Sequence, residues 1–281
     1  MRVMVAGAAG MLGQDVVGAA RRRGHDVAAM TRSDLDVTDP GSIDRAIAEV
    51  RPEAVIDCAA WSDVDGAEDD ERGAMAINDT GAALLAAGAA RVGAGILYPS
   101  SDYVFDGTKG SPYLENDMPD PINAYGRSKL GGEVSVAAAN PKHFVVRTSW
   151  LYGLGGGNFV ETMLRIGAEQ PEVLVVSDQR GCPTSCTDLA EGMVQLIGTD
   201  AYGIHHMVGG GECTWFDFAA EIFDQAHMET RVMSATTDMM ARKAKRPAYS
   251  VLGHSREDAI LLRPWQDALR RYLNDRELNA G

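Results

Sequence analysis

The sequence predicts an α/β protein: a doubly wound parallel sheet followed by a smaller α/β part. Three observations carry this. Strand-length apolar runs alternate with helix-length amphipathic runs from the first residue to about 150, and that alternation requires a parallel sheet covered on both faces. The first apolar run passes directly into a glycine-rich loop and then a helix. Beyond 150 the rhythm loosens, but no low-complexity linker intervenes. We therefore divide the chain at 1–150 and 151–281, with some segments of the second part packing back on the first.

Residues 2–6 (RVMVA) read as a buried strand and the helix after the loop runs to about Arg23, where Gly24 stops it. Residues 25–31 are the second strand. In DPGSIDRAIAEVRP, Asp39 caps a helix and Pro40 fits its first turn. Residues 53–60 and 94–100 are strands on either side of a long Ala-rich helix over about 72–92. A helix carrying AYGRSK follows, then a strand over 143–150. In the second part, GGGNFVETMLRIGAE and TDLAEGMVQLIG read as helices. VLVVSDQRG and GIHHMVGGGE read as strands, and TWFDFAAEIFDQA as a helix capped at Thr214.

The chain has 281 residues, 45% hydrophobic and 23% charged, an ordinary globular balance. A formal net charge of −14 excludes a nucleic-acid binder that works through a basic footprint. No apolar run is long enough to span a membrane. The apolar N-terminus enters a glycine turn rather than a cleavage site, so it reads as a strand and the expected location is the cytoplasm. Of the four cysteines, only those in CPTSC lie close together. With no second pair, no metal site is predicted. His205 and His206 lie in an alternating strand pattern, which also argues against metal binding.

Gly7, Gly10 and Gly13 stand between strand and helix. A tight turn, close backbone approach to a pyrophosphate and helix–strand packing each require a glycine there, with the phosphates on the helix N-terminus. This predicts a dinucleotide site. At the end of the second strand, Arg32 and Ser33 precede the first acid, Asp34. An arginine there suits a 2′-phosphate, so NADPH is the expected cofactor, with NADH as the alternative. In AYGRSK, Tyr125 and Lys129 are four apart on a helix, hence on one face. A cation beside the phenol would lower its pKa and make a tunable proton donor. Taken alone, such a pair is more often a surface Tyr and Lys on an ordinary helix.

The glycine loop, PSSDYVFDG and YGRSK, in this order, resemble the extended short-chain dehydrogenase/reductases, which carry a Rossmann-type sheet. The resemblance implies a catalytic set of Ser101, Tyr125 and Lys129. SDYVFDG, YGRSKLGGE, VVRTSWLYG, NFVETMLR, DQRGCPTSCTDLA, TWFDFA and KRPAYSVL together resemble the RmlD-type dTDP-4-dehydrorhamnose reductase family over nearly the whole chain. That resemblance implies NADPH-dependent reduction of the C4 ketone of dTDP-4-dehydro-L-rhamnose to dTDP-L-rhamnose. Tyr125 would be the proton donor, Lys129 its electrostatic partner and ribose ligand, and Ser101 the ligand of the carbonyl oxygen. It further implies Gly10, Met11 and Leu12 at the pyrophosphate, Asp36 and Val37 near the adenine, and Ala60, Trp61 and Ser62 beside the nicotinamide half. Asp102, Trp150 and Val64 would lie at the sugar, and Asn158, Arg165 and Arg246 at the dTDP phosphates. The expected assembly is a monomer or homodimer.

This chain departs from the family pattern in several places. Ser101 stands where Thr is usual, with Ser100 beside it; AAWS replaces AAxT; Ala6 precedes the first loop glycine. Asp15 matches one position of a metal contact seen in some relatives, but Thr187 occupies another. Three other functions share these motifs: reduction of a different dTDP-4-ketosugar, a non-catalytic subunit resembling the regulatory subunit of methionine adenosyltransferase, and an epimerase or dehydratase. The intact Ser101, Tyr125 and Lys129 set favours a reductase.

Overall fold

A computed structural model describes residues 1–280. In chain order the first part holds β1 (Arg2–Ala6), α1 (Met11–Arg22), β2 (Asp26–Met30), α2 (Pro40–Val50), β3 (Ala54–Asp57), α3 (Val64–Asp69), α4 (Glu71–Met75), a π-helical segment (Ala76–Gly81), α5 (Ala82–Arg91), β4 (Gly95–Ser101), a 3-10 turn (Asp102–Val104), α6 (Ala124–Ala139) and β5 (His143–Thr148). There follow β6 (Leu151–Tyr152), α7 (Phe159–Glu169), β7 (Glu172–Val176), β8 (Arg180–Gly181), β9 (Thr184–Ser185), α8 (Cys186–Leu196), β10 (Gly203–His206), β11 (Cys213–Thr214), α9 (Trp215–Gln225), β12 (Arg231–Ala235), a second 3-10 turn (Thr237–Met240) and α10 (Trp265–Ala280).

The main sheet has six parallel strands in the order β10-β5-β4-β3-β1-β2. Its strands are apolar runs because both faces are covered. One core, including Val16, Ala20, Leu189 and Met193, fills the face under α1 and α8. The other, including Ile43, Ile47, Leu85 and Ala89, lies under α2 and α5. The strand order reverses at β1, whose neighbours are β2 and β3. That reversal opens a crevice at the carboxyl ends of the strands, where ligands bind in such sheets. The tenth strand comes from the second half of the chain and closes the sheet beside β5. A third core, with Phe218, Ile222 and Trp265, joins α7, α9 and α10.

Asp39 caps α2 by accepting from Gly41 N at 2.9 Å, with Pro40 in the first turn. Thr214 caps α9 in a full capping box with Asp217. The Ala-rich stretch over 72–92 is not one helix: α4 and α5 are separated by the π-helical segment. Its wider turn holds Asn78, whose buried side chain bonds outside the helix. Two parallel strands, β7 and β12, pair outside the main sheet; β12 had no clear alternation in the sequence. Among the described residues, no helix is long and apolar enough to cross a membrane, and no group of three or more His, Cys, Asp or Glu side chains is arranged to hold a metal.

Candidate active site

The glycine loop has the geometry its sequence implies. Gly7 adopts φ 68°, and a Cβ there would sit 2.6 Å from the backbone of Cys58 and Ala59. Side chains avoid this conformation, and the close approach brings β1 against the end of β3. A Cβ on Gly13 would lie 2.2 Å from Gly7 O, so this glycine packs the helix onto the loop. Gly10 is exposed, and a Cβ there would touch only Gly7 O, at 3.3 Å. The first intrahelical bond runs from Gln14 N to Gly10 O, at 3.0 Å. The N–H groups of Met11, Leu12 and Gly13 therefore lack helical acceptors and form an anion cradle. Met11 and Leu12 offer backbone here; the Met11 side chain turns toward Gly153 and Gly156.

This loop forms one wall of a cleft of about 240 Å³, whose lining includes Arg32, Asp36, Val37 and Ala60. Arg32 is exposed at its rim. Ser33 turns instead to Thr31, with the two hydroxyls 2.8 Å apart. Asp36 is engaged by Thr38, whose N–H and hydroxyl donate to it at 2.9 and 2.7 Å, and these bonds hold its pKa below the usual range.

At the inner end, Trp61 and Tyr125 pack in one small apolar cluster with Ala67, Ala74 and Ala124. Asn78 fixes this junction. It accepts from Trp61 N at 2.9 Å and donates to Trp61 O at 3.0 Å and to Ser128 Oγ at 2.9 Å. Ser62 is exposed and Val64 opens α3. A signal for Asn78 was present in the sequence: an amide inside an Ala-rich helical run competes for backbone partners unless it bonds elsewhere.

Tyr125 lies in the first turn of α6, which Asn123 caps by accepting from Gly126 N at 2.7 Å. The glycine after Tyr125 has a steric cause: its Cβ would fall 2.1 Å from Tyr103 O. Helix and 3-10 turn thereby approach closely enough for the Ser101 hydroxyl to act on the Tyr125 phenol, drawing its pKa down against burial. The two serines have separate partners. Ser100 Oγ donates to Glu133 Oε1 at 2.5 Å, and Glu133 is in turn held by the buried Arg147 at 2.7 and 2.9 Å. Ser101 Oγ donates to Asp102 Oδ1 at 3.0 Å and accepts from Tyr103 N at 3.1 Å. Ser101 is thus the serine that faces Tyr125.

One electrostatic expectation is overturned. Burial, reinforced by Asp102, pushes the Tyr125 phenol up to about 12 rather than down. Lys129 is itself buried, with its ammonium 4.0 Å from the centre of the Tyr98 ring. Burial lowers its pKa, and the charges of Asp57 and Glu133 oppose that shift. Asp57, which the sequence did not single out, is 2% exposed at the end of β3 and is pushed up by its own burial. The four cysteines are unpaired.

A second cleft, about 340 Å³, has a lining that includes Tyr103, Gln179, Trp215, Thr237, Arg242 and Arg246. Tyr103 joins it to Tyr125, the two rings meeting edge to face at 6.1 Å. Trp150 has φ 50° and stacks on Trp215 with centroids 3.5 Å apart. Gly181 makes room for it, since a Cβ there would lie 2.5 Å from the indole. Arg246 donates to Asp65 through both terminal nitrogens, at 2.9 and 3.0 Å.

Two proposed phosphate ligands are not brought to this cleft. Arg165 is on the exposed face of α7, where helical periodicity turns it to solvent, 3.8 Å from Glu169. Asn158 caps that helix, accepting from Glu161 N at 3.1 Å and donating to Gly153 O at 2.9 Å. Its amide is committed to the chain's own turns. Tyr103, Gln179, Trp215, Thr237 and Arg242 escaped the sequence reading because they come from separate segments with no shared spacing.

A glycine cradle at the switch point of a parallel sheet, leading to Ser, Tyr and Lys on the neighbouring strand and helix, defines a nicotinamide-dependent short-chain dehydrogenase/reductase of the extended type. The chain belongs to the RmlD family: the model described as "RmlD substrate binding domain" matches residues 1–278. The members of this family reduce dTDP-4-keto-6-deoxysugars at C4 with NAD(P)H. A dTDP-4-dehydrorhamnose reductase of Streptomyces griseus is 44% identical over 95% of this chain and 91% of its own. A dTDP-4-keto-6-deoxy-D-glucose reductase of Streptomyces niveus is 41% identical over 95% of both chains. The crystal structure of a dTDP-4-dehydrorhamnose reductase from Bacillus anthracis, in complex with NADP, superposes with a TM-score of 0.95 at 39% identity, covering 98% of this chain and 99% of that one.

Proposed function

We propose that the protein reduces the C4 ketone of dTDP-4-dehydro-L-rhamnose to give dTDP-L-rhamnose, using NADPH, with NADH as a weaker substitute. The observation that supports this best is that Tyr125 packs with Trp61, next to Ala60 of one cleft, and meets the ring of Tyr103, which lines the other. One cleft is a phosphate-accepting cradle with Arg32 at its rim. The other offers aromatic faces and two arginines to a nucleotide sugar. The cradle fits a dinucleotide because three unpaired N–H groups and the side-chain-free Gly10 leave room and donors for a pyrophosphate.

When bound, the nicotinamide supplies the hydride that C4 accepts. Ser101 holds the ketone oxygen by its hydroxyl, and Tyr125 gives that oxygen a proton as negative charge develops on it. A phenol pushed up to about 12 keeps its proton until a stronger base, the alkoxide, is present. Lys129 supplies positive charge beneath the site and reaches for the nicotinamide ribose. Asp102 meets the sugar hydroxyls, and Trp150 supports the sugar side through Trp215. Arg246 is held by Asp65 to face the diphosphate. In this division residues 1–150 serve the cofactor and catalysis, and 151–281 mainly the sugar nucleotide.

The test is NADPH oxidation by the purified protein with dTDP-4-dehydro-L-rhamnose, in parallel with other dTDP-4-keto-6-deoxysugars, with products identified by NMR. Fastest turnover to dTDP-L-rhamnose is expected. A clear preference for another ketosugar would reassign the substrate while keeping the reaction.

A further inference from the structure

We propose that Asp102 is the proton store of the reaction, returning a proton through the Ser101 hydroxyl to Tyr125 after the phenol has given up its own. The inference rests on the reductase reading above and adds to it a route for reprotonation. It starts from a carboxyl in an unusual place. Asp102 is 2% exposed, and its Oδ2 is buried without a hydrogen-bond partner among the described residues. The one partner its carboxyl has among the described residues is neutral, the Ser101 hydroxyl at 3.0 Å, and the groups that draw its pKa back down, the hydroxyls of Ser250 and Ser101 and nearby backbone N–H groups, are neutral too. The ionisable groups that face it are Tyr125 on α6, Tyr103 on its own turn and Cys182 just after β8. None of these is a cation. A buried carboxylate with no cation beside it is costly, and keeping the proton relieves that cost. In agreement, burial pushes Asp102 up to about 7.

The hydroxyl between the two acids has the valence a relay needs. Ser101 Oγ accepts from Tyr103 N at 3.1 Å and lies 3.0 Å from Asp102 Oδ1. Its hydroxyl also lies close enough to Tyr125 to pull the phenol's pKa down against burial. With Asp102 protonated, Ser101 accepts from Tyr103 N and from Asp102, and once the sugar O4 carries its proton the Ser101 proton turns from that oxygen to Tyr125. The transfers balance. As C4 gains the hydride and its electron pair, the Tyr125 O–H bond breaks and the sugar O4–H bond forms. The Ser101 O–H then breaks as the Tyr125 O–H re-forms, and the Asp102 O–H breaks as the Ser101 O–H re-forms. Asp102 is left as a carboxylate and regains a proton from water when product leaves. The relay spares Tyr125 from remaining a buried phenolate beside the product.

Two measurements test this. In the NADP⁺-loaded protein, infrared difference spectroscopy should show a protonated carboxyl that titrates near pH 7 and is absent in Asp102→Asn. In turnover, the acid form is the donor. Wild-type kcat should therefore hold below about pH 7 and fall up to tenfold per pH unit above it. Asp102→Asn should be about 10- to 100-fold slower, with no such break. Its unchanged affinity for NADP⁺, and recovery of the break in Asp102→Glu, would show that the fold is intact. A wild-type protein without the titrating band overturns the relay. So does an Asp102→Asn variant that keeps wild-type kcat and pH profile and only raises KM, which would leave Asp102 as a sugar contact. A band that titrates in a protein that reduces none of the ketosugars overturns the reductase reading, and the relay with it.

Discussion

The cleft beside the glycine loop and the cleft lined by Tyr103 are built in different ways. The cofactor side is made chiefly of backbone: a loop whose glycines at 7 and 13 have no room for a Cβ, and N–H groups left over from one helix start. The side we propose for the sugar is made of side chains on a 3-10 turn, the start of α9, a second 3-10 turn and the segment that carries Arg242 and Arg246. A backbone site tolerates few changes and recognises what all dinucleotides share. A side-chain site can be altered one residue at a time, which suits a family whose members act on different ketosugars.

Substitutions on the two sides, and at their junction, should therefore fail differently. The largest effect belongs to the junction: Tyr125→Phe should lower kcat by about 10²- to 10⁴-fold with NADPH affinity retained, measured by turnover and fluorescence titration. Next is Gly13→Ala, whose new methyl collides with Gly7 O. It should destabilise the fold by about 1–3 kcal/mol and remove tight cofactor binding, measured by denaturation and titration. On the sugar side, Arg246→Ala should raise KM for the dTDP-sugar by about 10- to 100-fold with a smaller change in kcat. Arg32→Ala should weaken NADPH by about tenfold and leave NADH nearly unchanged. The smallest effect is expected at Arg165→Ala, within about 0.5 kcal/mol in stability and with KM unaltered. A large KM effect there would restore Arg165 to the phosphate site.

The same contrast governs what was legible in the sequence. The cofactor cradle could be read because its requirements are local: three glycines, one strand and one helix within 13 residues of each other. Ser101, Tyr125 and Lys129 were identified by resemblance, and Gly126 then finds its cause in the backbone of Tyr103. The second cleft was not legible as a set, since Trp215 and Thr237 become neighbours only through tertiary packing. Arg165 and Asn158 were misplaced for a related reason: a sequence block shows that a residue is present, but not which way its helix turns it. The electrostatics of Tyr125 also had to come from the fold. The i, i+4 spacing places Lys129 on the right face, but burial, which spacing does not report, sets the direction of the phenol's shift.

The most direct test of the two-cleft account is label transfer. The protein would be supplied with NADPH carrying deuterium at the nicotinamide C4, in each of the two positions separately, and with dTDP-4-dehydro-L-rhamnose. The account predicts deuterium at C4 of the product sugar from one position only, at a rate that collapses in Tyr125→Phe. Product without deuterium at C4 from either position, or unchanged transfer in Tyr125→Phe, would contradict it.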